Sequence, residues 1–360
     1  MVVTIVSTLV VFSILVYVHE LGHYVAARLA GIRVDEFGFG YPPRIAVLFR
    51  RGDTAYTLNA IPIGGFVRMA GMPGDEDPTD PEGFNSKGRG ARVVALLAGS
   101  AMNVLLAVLL FAAVSFIGEP MEVERLEIIQ VVGQSPAYEA GVSFGDVIVA
   151  VEGEPIYNFY TLSRWVEERS GRSMSMTVDR AGREVNVVLT PRVNPPRGEG
   201  AMGVSIESTW IRTDIIRYPW WTAVSRGFER TWDALRDIYQ GMMRMVRGLL
   251  QAEEEMPVAL TGPVGIGIIV SEVARSGDGN VMVRLMLLTA ILSVNLGLIN
   301  LFPFPALDGG RLLFVVIEWL RGGKRIDPQK EGYVHLIGIA VILSLFVMVS
   351  YLDFARWSLR

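Results

Sequence analysis

Four long apolar runs dominate the pattern of hydrophobic and polar positions along this chain of 360 residues. Each is long enough to cross the hydrocarbon core of a bilayer as a helix, and each carries few or no charged side chains. The first run lacks the basic start and the cleavage site of a signal peptide, so we expect it to be retained. The pattern predicts a polytopic α-helical membrane protein with four transmembrane helices, at residues 1–23, 93–118, 285–307 and 332–352.

Shorter periods mark the segment between the first two runs. Apolar and polar residues alternate at 34–39, 45–49 and 54–58, which predicts strands of a membrane-associated β-sheet. Such a sheet either closes the helical bundle or offers its edge to a peptide as an added strand. Residues 73–90 are rich in Gly, Pro and Asp, which predicts a flexible link.

The longest polar segment lies between the second and third runs. Alternating residues at 128–132, 173–178 and 184–189, with a helical stretch at 160–168, predict a separate folded domain. Apolar residues then recur every three or four positions over 221–249, which predicts an amphipathic helix. That helix either packs into a core or lies along the outer membrane face, and we expect the membrane face.

The distribution of charge sets the expected orientation. Lys and Arg cluster in the loops at 31–90 and 311–331, and few lie near the ends of 119–282. The positive-inside rule therefore places both short loops in the cytoplasm and the long segment outside. The predicted divisions are transmembrane helix 1 (1–30), a cytoplasmic β-rich loop and link (31–90), transmembrane helix 2 (91–118), an inserted extracytoplasmic domain (119–206), a linker with an amphipathic helix (207–282), transmembrane helix 3 (283–310), a cytoplasmic loop (311–331) and transmembrane helix 4 (332–353).

Composition supports the membrane setting and narrows the chemistry. A mean hydropathy of +0.38 and 51% hydrophobic residues are high for a soluble protein of this length. The net charge of −4 gives no reason to expect nucleic acid as a partner. Cysteine is absent, which excludes disulfides, thiolate metal ligands and a cysteine nucleophile. A hydrolase of this composition must activate its nucleophile in another way.

Two of the three histidines stand in His19-Glu20-Leu21-Gly22-His23, at the end of the first apolar run. Residues i and i+4 share one face of a helix, so both imidazoles can reach one metal ion. Glu20 lies one position away, where a carboxylate can activate water. Ionisable groups are costly within a bilayer and are usually functional there. The segment therefore predicts a catalytic zinc site rather than a purely structural pairing of these groups.

A carboxylate after the third run could complete the site. Asp308 lies in the segment 300–310, which reads NLFPFPALDGG and contains two prolines that must break the helix. Alone, this pattern more often marks a turn in which the Asp caps the next helix. Because the expected topology brings it to the same membrane face as the histidine pair, we predict Asp308 as the third ligand. Two His and one carboxylate leave the fourth zinc position open, as in catalytic sites.

These motifs together resemble the site-2 protease family of intramembrane zinc metalloproteases, over nearly the whole chain. The resemblance extends to the stretches 62–69 and 262–265, and to a domain at 119–206 that looks like a single PDZ domain in the bacterial circular order. It includes Gly99 and Asn103, although their spacing more often reflects helix packing than chemistry. It implies Zn²⁺ as cofactor, with the metal held by His19, His23 and Asp308, Glu20 as general base and acid, and Asn300 holding the substrate backbone.

The resemblance also implies a function. Relatives of this layout are bacterial four-span enzymes that cleave anti-sigma factors, so the implied activity is hydrolysis of peptide bonds within transmembrane segments. Expected partners are the lipid bilayer and membrane substrates, either anti-sigma-factor-like proteins or remnant signal peptides. The implied location is the bacterial plasma membrane, with the active site near the cytoplasmic face. The PDZ domain would lie outside, where it binds a peptide or filters substrates by size.

Two other functions are compatible with parts of the sequence. A catalytically silent membrane adaptor could bind peptides through the PDZ domain, but it would not need a complete His-Glu-His-Asp set. A zinc transporter would line its path with intramembrane carboxylates and histidines, and the second and third runs contain none. The sequence therefore favours the protease.

Overall fold

The computed structural model describes residues 2–72, 80–196, 198–251, 262–275 and 280–358. The chain divides into two compact units, a helical unit (Met1–Ile117 with Tyr218–Arg360) and an insert (Gly118–Arg217). In chain order the elements are α1 (Val2–Leu29), β1 (Val34–Arg51), β2 (Thr54–Met69), a 3₁₀ turn (Phe84–Ser86), α2 (Arg89–Ile117), β3 (Glu119–Val131), α3 (Pro136–Glu139), β4 (Val147–Val151), β5 (Glu154–Pro155), α4 (Phe159–Glu168), β6 (Met174–Arg180), β7 (Arg183–Leu189), β8 (Val204–Ile216), α5 (Trp220–Gln251), α6 (Pro263–Arg275), α7 (Val281–Asn300), α8 (Asp308–Leu320) and α9 (Pro328–Ser358).

Four helices of the described chain, α1, α2, α7 and α9, are long and apolar enough to span a membrane, as predicted. The chain is a multi-pass membrane protein. Helix α7 ends at Asn300, before the predicted end of the third span at 307. The reason is that Pro303 and Pro305 have no N–H to donate to the helical ladder. Helix α8 begins at Asp308 and continues into a part of the chain that was predicted as a loop.

Helices α1 and α2 approach each other closely where small residues meet. A Cβ atom added to Gly22 would overlap with the backbone carbonyl of Ala98 on α2. Beyond this contact, buried Ala27 and Leu96 pack with Ile32 in one apolar cluster. Lipid tails are as apolar as the side chains, so close packing of small residues is what stabilises such helix pairs. Gly22 therefore sets how near the histidines of α1 lie to α2.

Strands β1 and β2 form a bent antiparallel sheet after α1. The first part of β1, 34–39, pairs with 55–58 on one side and with 65–69 on the other. The rest of β1, 41–51, also pairs with β2. Gly40 and Gly64 have positive φ angles, which a residue without Cβ adopts readily, and they permit the bends. Two long strands thus supply four paired segments where the alternation predicts three strands. We call residues 65–69 the edge segment.

The chain just before α2 is packed, in contrast to the flexible link predicted at 73–90. Residues 73–79 lie outside the described residues. Asp80 is buried and pairs with Arg33 at 2.8 Å. Phe84 is buried in the apolar cluster that lies between α1 and α2. Composition alone does not reveal these buried partners, because each of them is remote in sequence.

The insert is an antiparallel sheet with strand order β7-β6-β4-β3-β8, and β5 pairs with β4. Strands β6 and β7 and helix α4 agree with the strands and the helix predicted at 173–178, 184–189 and 160–168. Strand β3 covers most of the strand predicted at 128–132 but begins earlier, at Glu119. Strand β8 carries the unit beyond the predicted end at 206, because β8 pairs with β3 from Val204 to Ile216. Its core consists of apolar side chains, among them Leu126, Ile128, Ile148, Val151, Leu162, Met174, Met176 and Val178.

Helix α5 is the predicted amphipathic helix, and it is buried mainly through small residues beside the apolar stripe, with Leu235 of the stripe packed against α2 and α7. Ala223 and Thr231 are buried, and a Cβ on Gly227 would lie 2.9 Å from Ala112 of α2. Small residues therefore pack α5 against α2. The aromatic side chains of the stripe are exposed, and they are Trp221, Phe228, Trp232 and Tyr239. Their contact with lipid stays a prediction.

Helix α6 is absent from the sequence prediction. It packs on α1 through Val270, which clusters with Val11. Asp353 of α9 accepts hydrogen bonds from the N–H groups of Gly262 and Gly265, both at 2.9 Å, at the start of α6. These N–H groups have no partner within a helix, so the carboxylate of α9 satisfies them.

Candidate active site

Helix α1 presents two different faces to the rest of the helical unit. Glu20 and Tyr24, one turn apart, lie toward the sheet, where the hydroxyl of Tyr24 is hydrogen-bonded to that of Tyr56 at 2.7 Å. His19 and His23, also one turn apart, lie toward α2. Residues that are adjacent in sequence therefore serve different surroundings, with the carboxylate against the sheet and the imidazoles against a helix.

The ligand atoms of His19, His23 and Asp308 form a nearly equilateral triangle. The Nε2 atoms of the two histidines are 3.1 Å apart. Asp308 Oδ2 lies 3.0 Å from Nε2 of His19 and 3.1 Å from Nε2 of His23. Both histidines are buried, and the carboxylate is mostly so. The fold thus brings together the three side chains that were predicted as metal ligands.

These spacings fit a tetrahedral zinc ion. With Zn–N and Zn–O bonds of about 2.0–2.1 Å, tetrahedral ligand atoms lie about 3.3 Å apart. The observed group of His19, His23 and Asp308 needs an outward shift of only a few tenths of an ångström to reach that spacing. Two imidazole nitrogens and one carboxylate oxygen also form a donor set that leaves a fourth position open.

Helix α2 orients both histidines from behind. Nδ1 of His23 lies 2.8 Å from the carbonyl oxygen of Ala95, so Nδ1 carries the proton and Nε2 is free to bind a metal. Nδ1 of His19 lies 3.3 Å from the side-chain amide of Asn103, which is fully buried. A Cβ on Gly99 would overlap with Nε2 of His23 and lie 2.7 Å from Cε1 of His19. The Gly99–Asn103 pair therefore belongs to the site and does more than pack two helices.

Asp308 reaches the histidines through the irregular loop between α7 and α8. Ala306 in this loop has a φ of 82°, in the left-handed region that is uncommon for residues other than glycine. Asp308 is the first residue of α8, after the N-cap Leu307. A Cβ at Gly309 or Gly310 would overlap with carbonyl oxygens of the loop. Asp308 faces the histidines from the first turn of α8 and does not cap that helix, because the N-cap position is occupied by Leu307. Its role as a metal ligand stays a prediction.

Glu20 faces the same small cavity as the ligand group. Its Oε2 accepts a hydrogen bond of 3.0 Å from the N–H of Val67 in the edge segment. The cavity has a volume of about 190 Å³ and is lined by Glu20, His23, Asp308 and residues of the edge segment, α2 and the α7–α8 loop. The carboxylate is therefore held beside the three candidate ligands, where water has room to enter.

Comparison with known proteins agrees with this geometry. The model of peptidase family M50 matches residues 7–345. The chain belongs to peptidase family M50. It is 30% identical to the zinc metalloprotease RasP of Geobacillus kaustophilus, with 99% of each chain covered. RasP of Oceanobacillus iheyensis is also 30% identical, over 98% of this chain and 99% of that protein. The regulator of sigma-W protease RasP of Bacillus subtilis is 28% identical, over 98% of each.

Membership of family M50 confirms the resemblance to site-2 proteases. This protein is a membrane zinc metalloprotease, and its family supports a role in regulated intramembrane proteolysis. The zinc cofactor predicted from the sequence is confirmed, and the His-His-Asp group offers a place for it. An enzyme is thus favoured over the adaptor and the transporter.

Other polar groups of this M50 peptidase approach the site. Nδ2 of Asn300, at the end of α7, lies 3.3 Å from Nε2 of His19, and its contact with substrate stays a prediction. Sequence reasoning missed the contact of Asn103 with His19, and it missed His335, which accepts a hydrogen bond from Ala306. The available signal was the same for both residues, a polar side chain within an apolar run.

Proposed function

We propose that this M50 peptidase hydrolyses peptide bonds within transmembrane segments, with His19, His23 and Asp308 as zinc ligands and Glu20 as general base and acid. The observation that carries the proposal is the triangle of ligand atoms, 3.0–3.1 Å apart, with Glu20 held beside it by the N–H of Val67. Buried ionisable groups in a membrane protein are costly and usually functional. Their convergence from two separate parts of the chain favours a catalytic role.

The proton transfers fall to Glu20. His19, His23 and Asp308 would hold the zinc ion, which would supply Lewis-acid chemistry for polarising a carbonyl and acidifying water. Glu20 takes the proton of the attacking water and returns it to the leaving nitrogen. Because the N–H of Val67 donates to Oε2, we assign the proton transfer to Oε1. One oxygen orients the carboxylate, and the other does the chemistry.

The edge segment provides a place for an extended substrate. A helical peptide hides its carbonyls in its own hydrogen-bond ladder, so cleavage requires local unwinding. A peptide added to a sheet edge exposes the scissile bond and gains new backbone partners. The edge segment pairs with 34–39 on one side, and the N–H of Val67 reaches Glu20 on the other. Asn300 would hold the substrate backbone near the metal.

The relatives suggest a substrate class and a setting. One of them is named as a regulator of sigma-W protease. The substrates of this chain would be anti-sigma-factor-like membrane proteins, and remnant signal peptides would be a second class. The enzyme would lie in the bacterial plasma membrane with its active site near the cytoplasmic face. The insert would be a single extracytoplasmic PDZ domain that binds a peptide or filters substrates by size.

Substitution of the proposed base tests the catalytic assignment. Glu20→Gln keeps the shape and leaves the three proposed ligands in place but removes the proton acceptor. We expect zinc content of about one per chain, as in the wild type, and cleavage of a transmembrane reporter reduced by at least ~10²–10⁴-fold. Glu154→Gln, at an exposed position of the insert, is the matched control and should cleave normally. Equal cleavage by Glu20→Gln and the wild type would refute the assignment.

Labelling of single cysteines tests the orientation. The chain has no native cysteine, so an introduced thiol is the only target. Gly88→Cys and Glu154→Cys both lie at exposed positions. A membrane-impermeant maleimide added to intact cells should label the cysteine at 154 and leave the one at 88 unlabelled until the cells are lysed. Labelling of both in intact cells would contradict the proposed sidedness.

A further inference from the structure

The loop between α7 and α8, which leads into Asp308, is hydrogen-bonded to a separate helix, α9. The N–H of Ala306 donates to Nδ1 of His335 at 2.9 Å. Neighbouring N–H groups of the loop bond within the same segment, that of Phe304 to the carbonyl of Phe302 and that of Leu307 to the carbonyl of Phe304. The contact with His335 therefore differs from the others, because it fixes the loop to a separate helix.

Ala306 needs such a partner because its backbone is strained. Its φ of 82° lies in the left-handed region, where the Cβ of an L-residue crowds the following carbonyl. Such conformations persist only where the surroundings hold them in place. Pro303 and Pro305 have no N–H, so few backbone donors in this part of the loop can bond to another helix. The N–H of Ala306 is one of them.

A second contact from α9 meets the same loop. Gly338 lies one turn after His335, on the same face of α9. A Cβ on Gly338 would lie 2.5 Å from the carbonyl carbon of Pro305, so a larger residue would push the loop away. The ring of His335 is buried and lies 5.7 Å, between centroids, from the ring of Phe314 on α8. Helix α9 thus contacts the loop in two adjacent places, through the acceptor nitrogen of His335 and through the backbone of Gly338.

The hydrogen bond also defines which ring nitrogen of neutral His335 carries the proton. Since Nδ1 accepts the N–H of Ala306, the neutral ring carries its proton on Nε2. Nε2 is buried and has no hydrogen-bond partner among the residues that the structure describes, and the carboxylate of Glu331 is 3.8 Å away. A polar ring in a membrane span is costly to keep. Among the described residues, the side chain of His335 makes its hydrogen bond to the N–H of Ala306.

We propose that His335 is a positioning residue for Asp308. Nδ1 of His335 holds Ala306 in its left-handed conformation and thereby directs the Asp308 carboxylate toward His19 and His23. The inference rests on the proposed role of Asp308 as a zinc ligand. Only Leu307 separates Ala306 from Asp308, so rotation of the Ala306 peptide moves the carboxylate directly. Loss of the hydrogen bond to α9 should therefore change the position of the carboxylate in the candidate metal site.

Zinc affinity of full-length variants, measured by competition with a chelator, tests this role. In His335→Asn the side-chain oxygen occupies the position of Nδ1, whereas in His335→Gln the acceptor lies farther out, near the position of Nε2. We expect His335→Ala and His335→Gln to bind zinc about 10–100-fold more weakly and His335→Asn to stay near the wild type. Visible absorption of the Co²⁺-loaded proteins should show altered coordination in the same two variants. Leu336→Ala, at a mostly exposed neighbouring position, is the control and should change neither readout.

A second substitution separates positioning from simple packing. Ala306→Gly removes the Cβ that makes the left-handed conformation costly. In the His335→Ala background it should restore part of the lost zinc affinity, since the loop then needs less support. If His335 only filled space, Ala306→Gly would restore nothing, and the Gln variant would bind zinc better than the smaller Asn variant. Either result would overturn the proposal, as would wild-type zinc affinity in His335→Ala.

The outcome for Asp308→Ala distinguishes the two levels of the argument. Loss of zinc in Asp308→Ala with normal zinc in His335→Ala would refute the positioning role alone. Retention of zinc in Asp308→Ala would refute the proposed ligand set itself. Should His335→Ala fail to fold, as judged by gel filtration in detergent, the contrast between the Asn and Gln variants decides.

Discussion

The two halves of the candidate metal site are built in opposite ways. His19 and His23 stand one turn apart on a regular helix, and α2, also regular, contacts the two rings through the carbonyl of Ala95 and the side chain of Asn103. Asp308 arrives from a loop with a left-handed alanine, between two helices, and a histidine of α9 holds that loop. One half is set by helix geometry, and the other is set by contacts between distant parts of the chain.

The difference predicts how each half responds to change. Two packed helices have no room to relax, so an added atom between them must displace a ring. A strained residue stores about 1–3 kcal/mol of conformational energy and depends on its surroundings. The loop that carries Asp308 should therefore move progressively as its contacts with α9 are removed. We therefore expect an abrupt response on the histidine side and a graded response on the aspartate side.

The largest effect is expected at Gly99, on the histidine side. In Gly99→Ala the new Cβ would overlap with Nε2 of His23 and lie 2.7 Å from Cε1 of His19, so the rings must turn away from the metal position. Alanine is the better helix former by about 1 kcal/mol, so α2 itself should not be weakened. We expect zinc content to fall from about one per chain to near zero, measured by metal analysis of the purified protein.

The control for this prediction is Gly241→Ala on α5. No atom lies near the position of its Cβ in the described structure, so it should keep its zinc and gain slightly in thermal stability. If Gly99→Ala also bound a full equivalent of zinc, the close contact between α2 and the rings would not limit the site. The contrast between a rigid and an adaptable half would then fail at its stronger end.

The same contrast explains what could be predicted from the sequence. The spacing of His19 and His23 is a local property of a helix, so the motif alone predicts their shared face. The prolines before Asp308 predict the end of α7 in the same local way. The left-handed Ala306 and its acceptor His335 could not be predicted, because nothing in the local pattern of either residue indicates the other. Helix α8 was missed for a different reason. Its 13 residues are too few for a membrane span, so the pattern of spans leaves them in a loop.

An intermediate effect is expected at Asn103. If His19 binds zinc through Nε2, its Nδ1 carries the proton, and the amide of Asn103 must offer its oxygen to it. That oxygen has no other hydrogen-bond partner within the described ranges, and a half-turn of the amide brings it to His19. Asn103→Leu should therefore weaken zinc binding about 10–100-fold, measured by chelator competition. Asn103→Asp keeps the acceptor and should stay closer to the wild type. The reverse order of the two variants would show that the amide acts as a donor.

The smallest effect is expected at Gly338, on the aspartate side. In Gly338→Ala the added Cβ would meet the backbone of Pro305, but the loop is irregular and can move away. Overpacking of this kind costs about 1–3 kcal/mol of stability, and part of that cost should be relieved by displacement of the loop. We expect a lower melting temperature and zinc affinity reduced by less than about tenfold, because His335 is unchanged and can still accept the N–H of Ala306. Combination with His335→Ala should lower zinc affinity further, since the loop then loses both of its contacts with α9. Complete loss of zinc in Gly338→Ala alone would show that the aspartate side is as rigid as the histidine side, and the distinction between the two halves would have to be abandoned.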